Sequence, residues 1–231
     1  MGSSLKVASV FGIAVRIHVT FLLYLAFVCF SSYQEAGLSG AIQGGLLILI
    51  LFACVLLHEF GHAFAARAFG IRTPDITLYV IGGVARLNRI PDKPWQELIV
   101  AVAGPLVNVV IAAVLFIVMH GTTQLEQVEQ LESPGIELLA KVASLNLWLL
   151  LFNLIPAFPM DGGRVLRSLL AMFMPYFRAT QIAARLGQGL AVLFAILGFI
   201  RDPFLIFIAL FVFYGAQQEL AMARASRPSP P

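Results

Sequence analysis

The chain has 231 residues, of which 60% are hydrophobic and 12% charged, and its mean hydropathy is +0.91. These fractions exclude an ordinary soluble domain, in which about a quarter of the residues are charged, and they indicate a membrane protein. The formal net charge of +3 does not indicate a nucleic-acid partner, because no cluster of Lys and Arg is interleaved with aromatic residues.

Six apolar stretches are read as spanning helices, since a helix that crosses a bilayer needs about 20 mostly apolar residues. The predicted spans are about residues 17–33, 42–67, 96–120, 136–156, 181–200 and 203–222. We therefore expect an all-α polytopic membrane protein. Its six-helix domain would occupy residues 1–223, and residues 224–231 would form a polar, Pro-rich tail or truncated linker.

The distribution of basic residues predicts the orientation of these spans. With six spans, thirteen of the fifteen Lys and Arg fall on one side of the membrane, and only Lys141 and Arg201 fall on the other. The positive-inside rule then places both termini in the cytoplasm. The opposite connection between the third and fourth spans carries Glu126, Glu129 and Glu132 without any Lys or Arg, which agrees with this orientation.

The first span contains Cys29 and the second contains Cys54, without ligand-like spacing. We expect both to be small buried apolar residues. No small-residue cleavage site follows the first span, so we do not expect a removable signal peptide.

The second span contains ionisable residues in the motif His58-Glu59-Phe60-Gly61-His62. Residues four apart on a helix lie one turn above each other, so both imidazoles can bind the same ion. Glu59 then lies beside that ion, where a general base for metal-bound water is needed. A charged side chain at mid-bilayer costs on the order of 2.5 to 3.5 kcal/mol, so this His-Glu-x-x-His arrangement indicates a zinc metalloprotease rather than a coincidence.

A short β-hairpin is predicted at about residues 75–90, between the second and third spans. The run is rich in β-branched and aromatic residues, with Ile76, Leu78 and Val80 alternating against Thr77, Tyr79 and Ile81, and Gly82 and Gly83 interrupt it. The sequence is equally compatible with two locations for this apolar hairpin. In the first, the hairpin dips into the membrane, where protein shields it or it lines a wet cavity. In the second, it lies at the surface with some residues at the membrane interface.

The third span is rich in small residues, including Ala101, Ala103 and Gly104. Small residues let helices approach closely in lipid, so we expect this span to pack against a neighbour. Asn108 needs a hydrogen-bond partner there, and we expect it to join helices rather than to catalyse.

A catalytic zinc site usually has three protein ligands and one open position, so a third ligand is required. His18 and His120 lie at the ends of spans and are expected to be interfacial. Asp161 follows the fourth span at a depth that matches the second-span histidines, which makes it the strong candidate. Pro156 and Pro159 break the helix before it, as expected for a broken segment that lines a cavity.

Two motifs together resemble the site-2 protease family of intramembrane zinc metalloproteases, peptidase family M50. The motifs are His58-Glu59-x-x-His62 in one span and Asn153-x-x-Pro156-x-x-Pro159-x-Asp161-Gly162 at the end of a later one. The resemblance implies one zinc ion held by His58, His62 and Asp161, with Glu59 as the catalytic acid and base.

The same resemblance implies how a substrate is bound. Asn153, Pro156 and Pro159 are similar to family residues at the broken turn, and the hairpin around Gly82 and Gly83 would offer an edge to an unwound substrate strand. The implied partners are a transmembrane protein substrate, the lipid bilayer, and a regulatory membrane protein or a second copy of the chain. The layout resembles the branch without a PDZ domain, which includes sporulation-factor processing proteases, and it implies a prokaryotic cytoplasmic (inner) membrane.

Two alternatives stay open on the residues alone. Paired histidines and an aspartate in membrane helices also mark ion pathways, so a divalent-metal transporter is the alternative function. The polar intramembrane residues lie at one depth, which disfavours a relay across the bilayer. A membrane protease of the prenyl-protein type would pair the same motif with a later glutamate, for which Glu219 is the candidate.

Overall fold

The computed structural model describes residues 3–125 and 134–225, without the side chains of residues 120–125 and 134–137. The acidic connection with Glu126, Glu129 and Glu132, the side chain of His120, and tail residues 226–231 lie outside the described part. The strands are β1 Ser4–Val10, β2 Ile13–His18, β3 Asp75–Tyr79 and β4 Gly82–Arg86. The helices are α1 Val19–Ala68, α2 Pro94–Leu125, α3 Pro134–Asn153, α4 Asp161–Ala171, α5 Tyr176–Ile200 and α6 Phe204–Ala225.

Four helices of the described part are long and apolar enough to cross a membrane, namely Val19–Ala68, Pro94–Met119, Tyr176–Ile200 and Phe204–Ala225. A shorter apolar helix covers Leu138–Asn153. The chain is thus a mostly helical, multi-pass membrane protein. The count of six spans stays a prediction, because two predicted spans fall within α1 and a third falls within the shorter α3.

Helix α1 consists of two helical segments joined at a kink. Ala36 and Gly37 have non-helical backbone angles, and φ of Gly37 is +64°, a value that glycine adopts without strain. After the kink the chain folds back on itself. A Cβ added to Gly44 would lie 2.5 Å from Oγ of Ser32, so the absence of a side chain permits this close helical packing.

Residues Met1–Ile90 and Ala103–Leu150 form one compact unit, which contains a four-stranded sheet in the order β1-β2-β3-β4. Strands β1 and β2 pair antiparallel, β2 and β3 pair parallel, and β3 and β4 pair antiparallel. The mostly helical fold with a small β-structure is confirmed, and the structure adds that the β3–β4 pair belongs to a larger sheet. Strand β2 joins it through a parallel pairing between residues about 60 positions apart, which local alternation does not reveal.

The second half of α1 is held against this sheet by apolar side chains. Phe60 and Ala63 of α1 pack with Ile13, Val15 and Ile76 of the sheet in one buried cluster. The motif helix and the sheet consequently form a single core, which positions strand β4 next to the middle of the motif.

Residues Pro91–Val102 and Leu151–Pro231 form a second compact unit. Its helices α5 and α6 pack through small residues and enclose the segment that precedes α4. Phe158, which is fully buried, packs with Ala184 and Ala216, and the buried Met160 packs with Val212. The turn before Asp161 is thus a core element of this unit rather than a surface loop.

Candidate metal centre

The imidazoles of His58 and His62 meet edge to face on α1. Both side chains are buried, their Nε2 atoms are 3.0 Å apart, and the ring centroids are 4.7 Å apart. The spacing of four residues on a helix places them one above the other, as the sequence predicts. Two nitrogen ligands of a tetrahedral zinc ion at about 2.0–2.1 Å would be roughly 3.3 Å apart, so this pair fits one zinc ion.

Helix α2 packs so closely on the motif that its glycine meets the imidazoles. A Cβ added to Gly104 would lie 2.8 Å from Nε2 of His58 and closer still to Nε2 of His62. Gly61, inside the motif, has a similar role, since a Cβ there would lie 2.7 Å from the carbonyl oxygen of Ala103. The two glycines allow the helices to touch, which confirms the close packing predicted for the third span.

Asp161 is the first residue of α4, and it is 7% exposed. An aspartate in the first turn of a helix interacts favourably with the helix dipole, and Met160 before it has extended backbone angles. Gly162 and Gly163 are in backbone contact with the preceding turn, and a Cβ at Gly163 would lie 2.7 Å from the carbonyl carbon of Ala157. Sequence reasoning expected a turn around Asp161, and the structure adds that a helix starts there.

The three predicted metal ligands are His58, His62 and Asp161. All three side chains are buried. Two imidazole nitrogens and one carboxylate oxygen suit zinc. The predicted ligand set therefore fits zinc by its chemistry, and the assignment of the three residues as ligands stays a prediction.

Glu59 points toward the edge of the sheet. Its Oε2 accepts a hydrogen bond of 3.1 Å from the backbone N–H of Ala85 in β4. A Cβ added to Gly83 would lie 2.5 Å from Cγ and 2.9 Å from Oε1 of Glu59. Gly83 is therefore required for the close approach between this strand and the carboxylate, whereas Gly82 has a φ of +135° that favours glycine.

The residues predicted to bind substrate lie at the end of α3 and in the turn that follows it. Asn153 is the last residue of α3, Pro156 is exposed, and the ring of the half-buried Pro159 packs against Gly215. The roles of these residues in substrate binding stay predictions. His18 accepts a hydrogen bond from the backbone N–H of Thr20 at the start of α1, which gives it a helix-capping role.

Three features of this region were not predicted from the sequence. They are the hydrogen bond from Ala85 to Glu59, the contact of Gly104 with the imidazoles, and the ion pairs that Arg167 makes with Glu97 and Glu219. Only the last had a sequence signal, namely charged residues next to predicted spans. Asn108 is fully buried, and within the described residues neither polar atom of its amide has a hydrogen-bond partner.

Comparison with known proteins gives consistent similarities. The profile of peptidase family M50 matches residues 46–133 and 120–194. The chain is 39% identical to a zinc metalloprotease of Methanocaldococcus jannaschii over 95% of this chain and 61% of that protein. It is 29% identical to stage IV sporulation protein FB of Bacillus subtilis over 58% of this chain and 44% of that protein.

A solved structure of a site-2 protease from Methanocaldococcus jannaschii has a similar fold. The TM-score is 0.69 and the identity is 37%, and the match covers 99% of this chain and 97% of that chain. The chain thus spans nearly the whole of that solved structure, whereas it spans 61% of the length of the curated zinc metalloprotease from the same organism.

Proposed function

The chain belongs to peptidase family M50, and on that premise we propose that it is an intramembrane zinc metalloprotease. It would hydrolyse a peptide bond in or next to a transmembrane segment of a membrane-associated substrate, as in regulated intramembrane proteolysis. The observation that carries this proposal is the pair of buried imidazoles of His58 and His62, whose Nε2 atoms are 3.0 Å apart. Glu59 supports it as the adjacent carboxylate on the same helix.

We propose that His58, His62 and Asp161 would hold one zinc ion. A bound zinc ion lowers the pKa of a coordinated water to about 7 and polarises a carbonyl oxygen. The three side chains are at most 7% exposed. Their burial keeps bulk water away from the reacting atoms, and electrostatic interactions are stronger in such a low-dielectric site.

Glu59 is proposed to move the proton in both halves of the reaction. Its carboxylate accepts a proton from the attacking water and then donates this proton to the leaving amine. The N–H of Ala85 occupies Oε2 and so orients the carboxylate, which leaves Oε1 for the proton. The missing side chain at Gly83 provides the space in which Glu59 takes this orientation.

Strand β4 is proposed to receive the substrate. It lies at the edge of the sheet, so its outer side can pair with an added strand, and the contact with Glu59 places the base beside that strand. A helical substrate must first unwind, because its scissile carbonyl is otherwise engaged in a helical hydrogen bond. Gly82, Gly83, Asn153, Pro156 and Pro159 are the residues proposed to contact it.

Several apolar helices agree with a multi-pass membrane protein. The number of spans and their orientation are part of the proposal. We propose six spans in residues 1–223, with the two segments of α1 counted separately and α3 included. We also propose that both termini lie in the cytoplasm of a prokaryotic cell. A regulatory membrane protein or a second copy of the chain is proposed as a further partner. The relatives and the structure give no support to the alternative of a divalent-metal transporter.

The test combines zinc content with cleavage of a co-expressed single-span substrate. Glu59→Gln should retain zinc but lower the cleavage rate by about 10²- to 10⁴-fold, the typical contribution of a general base. Glu35→Gln replaces an exposed glutamate of α1 and should retain both properties. Cleavage by Glu59→Gln at the unaltered rate would refute the role of Glu59, and a purified unaltered chain that binds no zinc would refute the protease assignment.

A further inference from the structure

Arg167, Glu97 and Glu219 form a buried ionic cluster, called here the Arg167 cluster. Nε and Nη2 of Arg167 lie 2.8 Å and 2.6 Å from Oε1 of Glu97, and Nη1 lies 2.6 Å from Oε2 of Glu219. The side chains of Arg167 and Glu97 are only 4% and 5% exposed, and that of Glu219 is 13% exposed. The cluster joins the first turn of α2, the middle of α4 and the last part of α6.

Such a cluster is a costly way to gain stability. Removing charges from water costs several kcal/mol per ion, and replacing a buried ion pair by apolar residues is often neutral or stabilising. What a guanidinium provides instead is geometry, because its planar fork fixes the direction of two carboxylates at once. The position of Arg167 in the fold therefore shows which segment of the chain the guanidinium holds in place.

The guanidinium also lies over the segment that leads to Asp161. Its central carbon is 4.8 Å from the ring centroid of Phe158 and 5.2 Å from that of Tyr176. Phe158 is fully buried three residues before Asp161, and Arg167 follows Asp161 by six residues on α4. Arg167 therefore contacts the turn on one side of Asp161 while belonging to the helix on its other side.

The turn and the helix have little freedom to move separately. The N–H of Met160 donates to the carbonyl of Ala157, and the N–H of Gly163 donates to the carbonyl of Met160, both at 3.1 Å. A Cβ at Gly163 would also lie 2.7 Å from the backbone nitrogen of Phe158. A shift of Phe158 or of α4 would thus be transmitted to the backbone of Asp161.

We propose that Arg167 is a positioning residue for Asp161. Anchored by Glu97 and Glu219, the guanidinium holds Phe158 and α4 in register, and so fixes where the Asp161 carboxylate projects. This inference rests on the proposed function, in which Asp161 is a zinc ligand. Residues that support metal ligands in this way commonly change metal affinity by about 10- to 100-fold when substituted.

The experiment measures zinc affinity by competition with a chelator, using the full chain in detergent, and the thermal unfolding midpoint of the zinc-free protein. Arg167→Lys retains the charge but loses the fork, and it should weaken zinc binding by about 10- to 100-fold. Arg178→Lys, an exposed arginine at the start of α5, is the matched control and should leave zinc affinity unchanged. Zinc affinity of Arg167→Lys within twofold of the unaltered chain would overturn the proposal.

A double-mutant cycle separates positioning from general stabilisation. If Arg167 acts through Asp161, adding Arg167→Lys to Asp161→Asn should produce little further loss of zinc affinity. A loss that is additive to that of Asp161→Asn, or a lowered unfolding midpoint without a loss of zinc affinity, would assign Arg167 a purely structural role. Should Arg167→Lys fail to fold, Glu219→Gln removes one ion pair and must still weaken zinc binding, or the proposal fails.

The same cycle distinguishes this inference from the proposed function. Unchanged zinc affinity in Asp161→Asn alone would refute the ligand assignment and with it the protease site. Weakened affinity in Asp161→Asn together with unchanged affinity in Arg167→Lys would refute only the positioning role.

Discussion

Replacing Gly104 by alanine tests the metal centre without altering any ligand. The new Cβ would lie 2.8 Å from Nε2 of His58 and closer still to Nε2 of His62, well inside ordinary contact distance. In the zinc-free protein the imidazoles can rotate away, because the clash is with the far ends of two side chains. With zinc bound, both rings are held by the metal, so the cost falls on zinc binding.

The size of the effect follows from the cost of overpacking. Adding a carbon to a well-packed site typically costs about 1–3 kcal/mol. Each factor of ten in an equilibrium constant corresponds to about 1.4 kcal/mol, so zinc affinity should fall by roughly 5- to 150-fold. The unfolding midpoint of the zinc-free protein should change little.

Competition with a chelator measures this loss in the purified protein. Gly189→Ala is the matched control, since a Cβ at Gly189 has no neighbour within 4 Å and the residue lies in a helix. It should leave zinc affinity unchanged. If Gly104→Ala bound zinc as tightly as Gly189→Ala, the close contact between α2 and the two imidazoles would not describe the zinc-bound protein.

Gly83→Ala would place a Cβ 2.5 Å from Cγ of Glu59, so it should lower the cleavage rate at least tenfold while zinc content, measured by metal analysis, stays constant; reduced zinc content would contradict a role confined to the base. Asp161→Asn should lower the amount of zinc that stays bound per protein after gel filtration in a buffer with a weak chelator. Asp202→Asn, near the start of α6, should not lower it. Equal zinc stoichiometries in the two variants would exclude Asp161 as a ligand. Removing zinc with a strong chelator should abolish cleavage and lower the unfolding midpoint, because a ligand that binds only the folded state stabilises it. Added zinc should restore both, and cleavage that survives complete removal would argue against metal-assisted hydrolysis.

Much of the candidate metal site could be proposed from the sequence because its information is local. His58, Glu59 and His62 lie within five residues, and the geometry of an α-helix alone puts the two imidazoles on one face. The Pro and Gly residues around Asp161 likewise indicate a break after an apolar helix. The composition also indicated a membrane protein, since long apolar stretches have few other structural solutions.

The remainder depended on contacts between distant residues. The pairing of β2 with β3, the hydrogen bond from Ala85 to Glu59 and the fit of Gly104 against the imidazoles each join segments separated by at least 26 positions. A residue's own type and spacing do not encode which distant backbone group it will meet. The same holds for Arg167, whose charge was visible but whose two carboxylate partners come from other helices.

The sequence by itself therefore determined that the chain enters a membrane and carries a helical His-Glu-x-x-His motif, because both follow from apolar length and helical periodicity. The tertiary structure decided what surrounds that motif, namely an edge strand against Glu59 and a glycine against the histidines. The physical reason is that burial and close packing are properties of the folded chain, in which a missing side chain on one helix makes room for the chemistry of another.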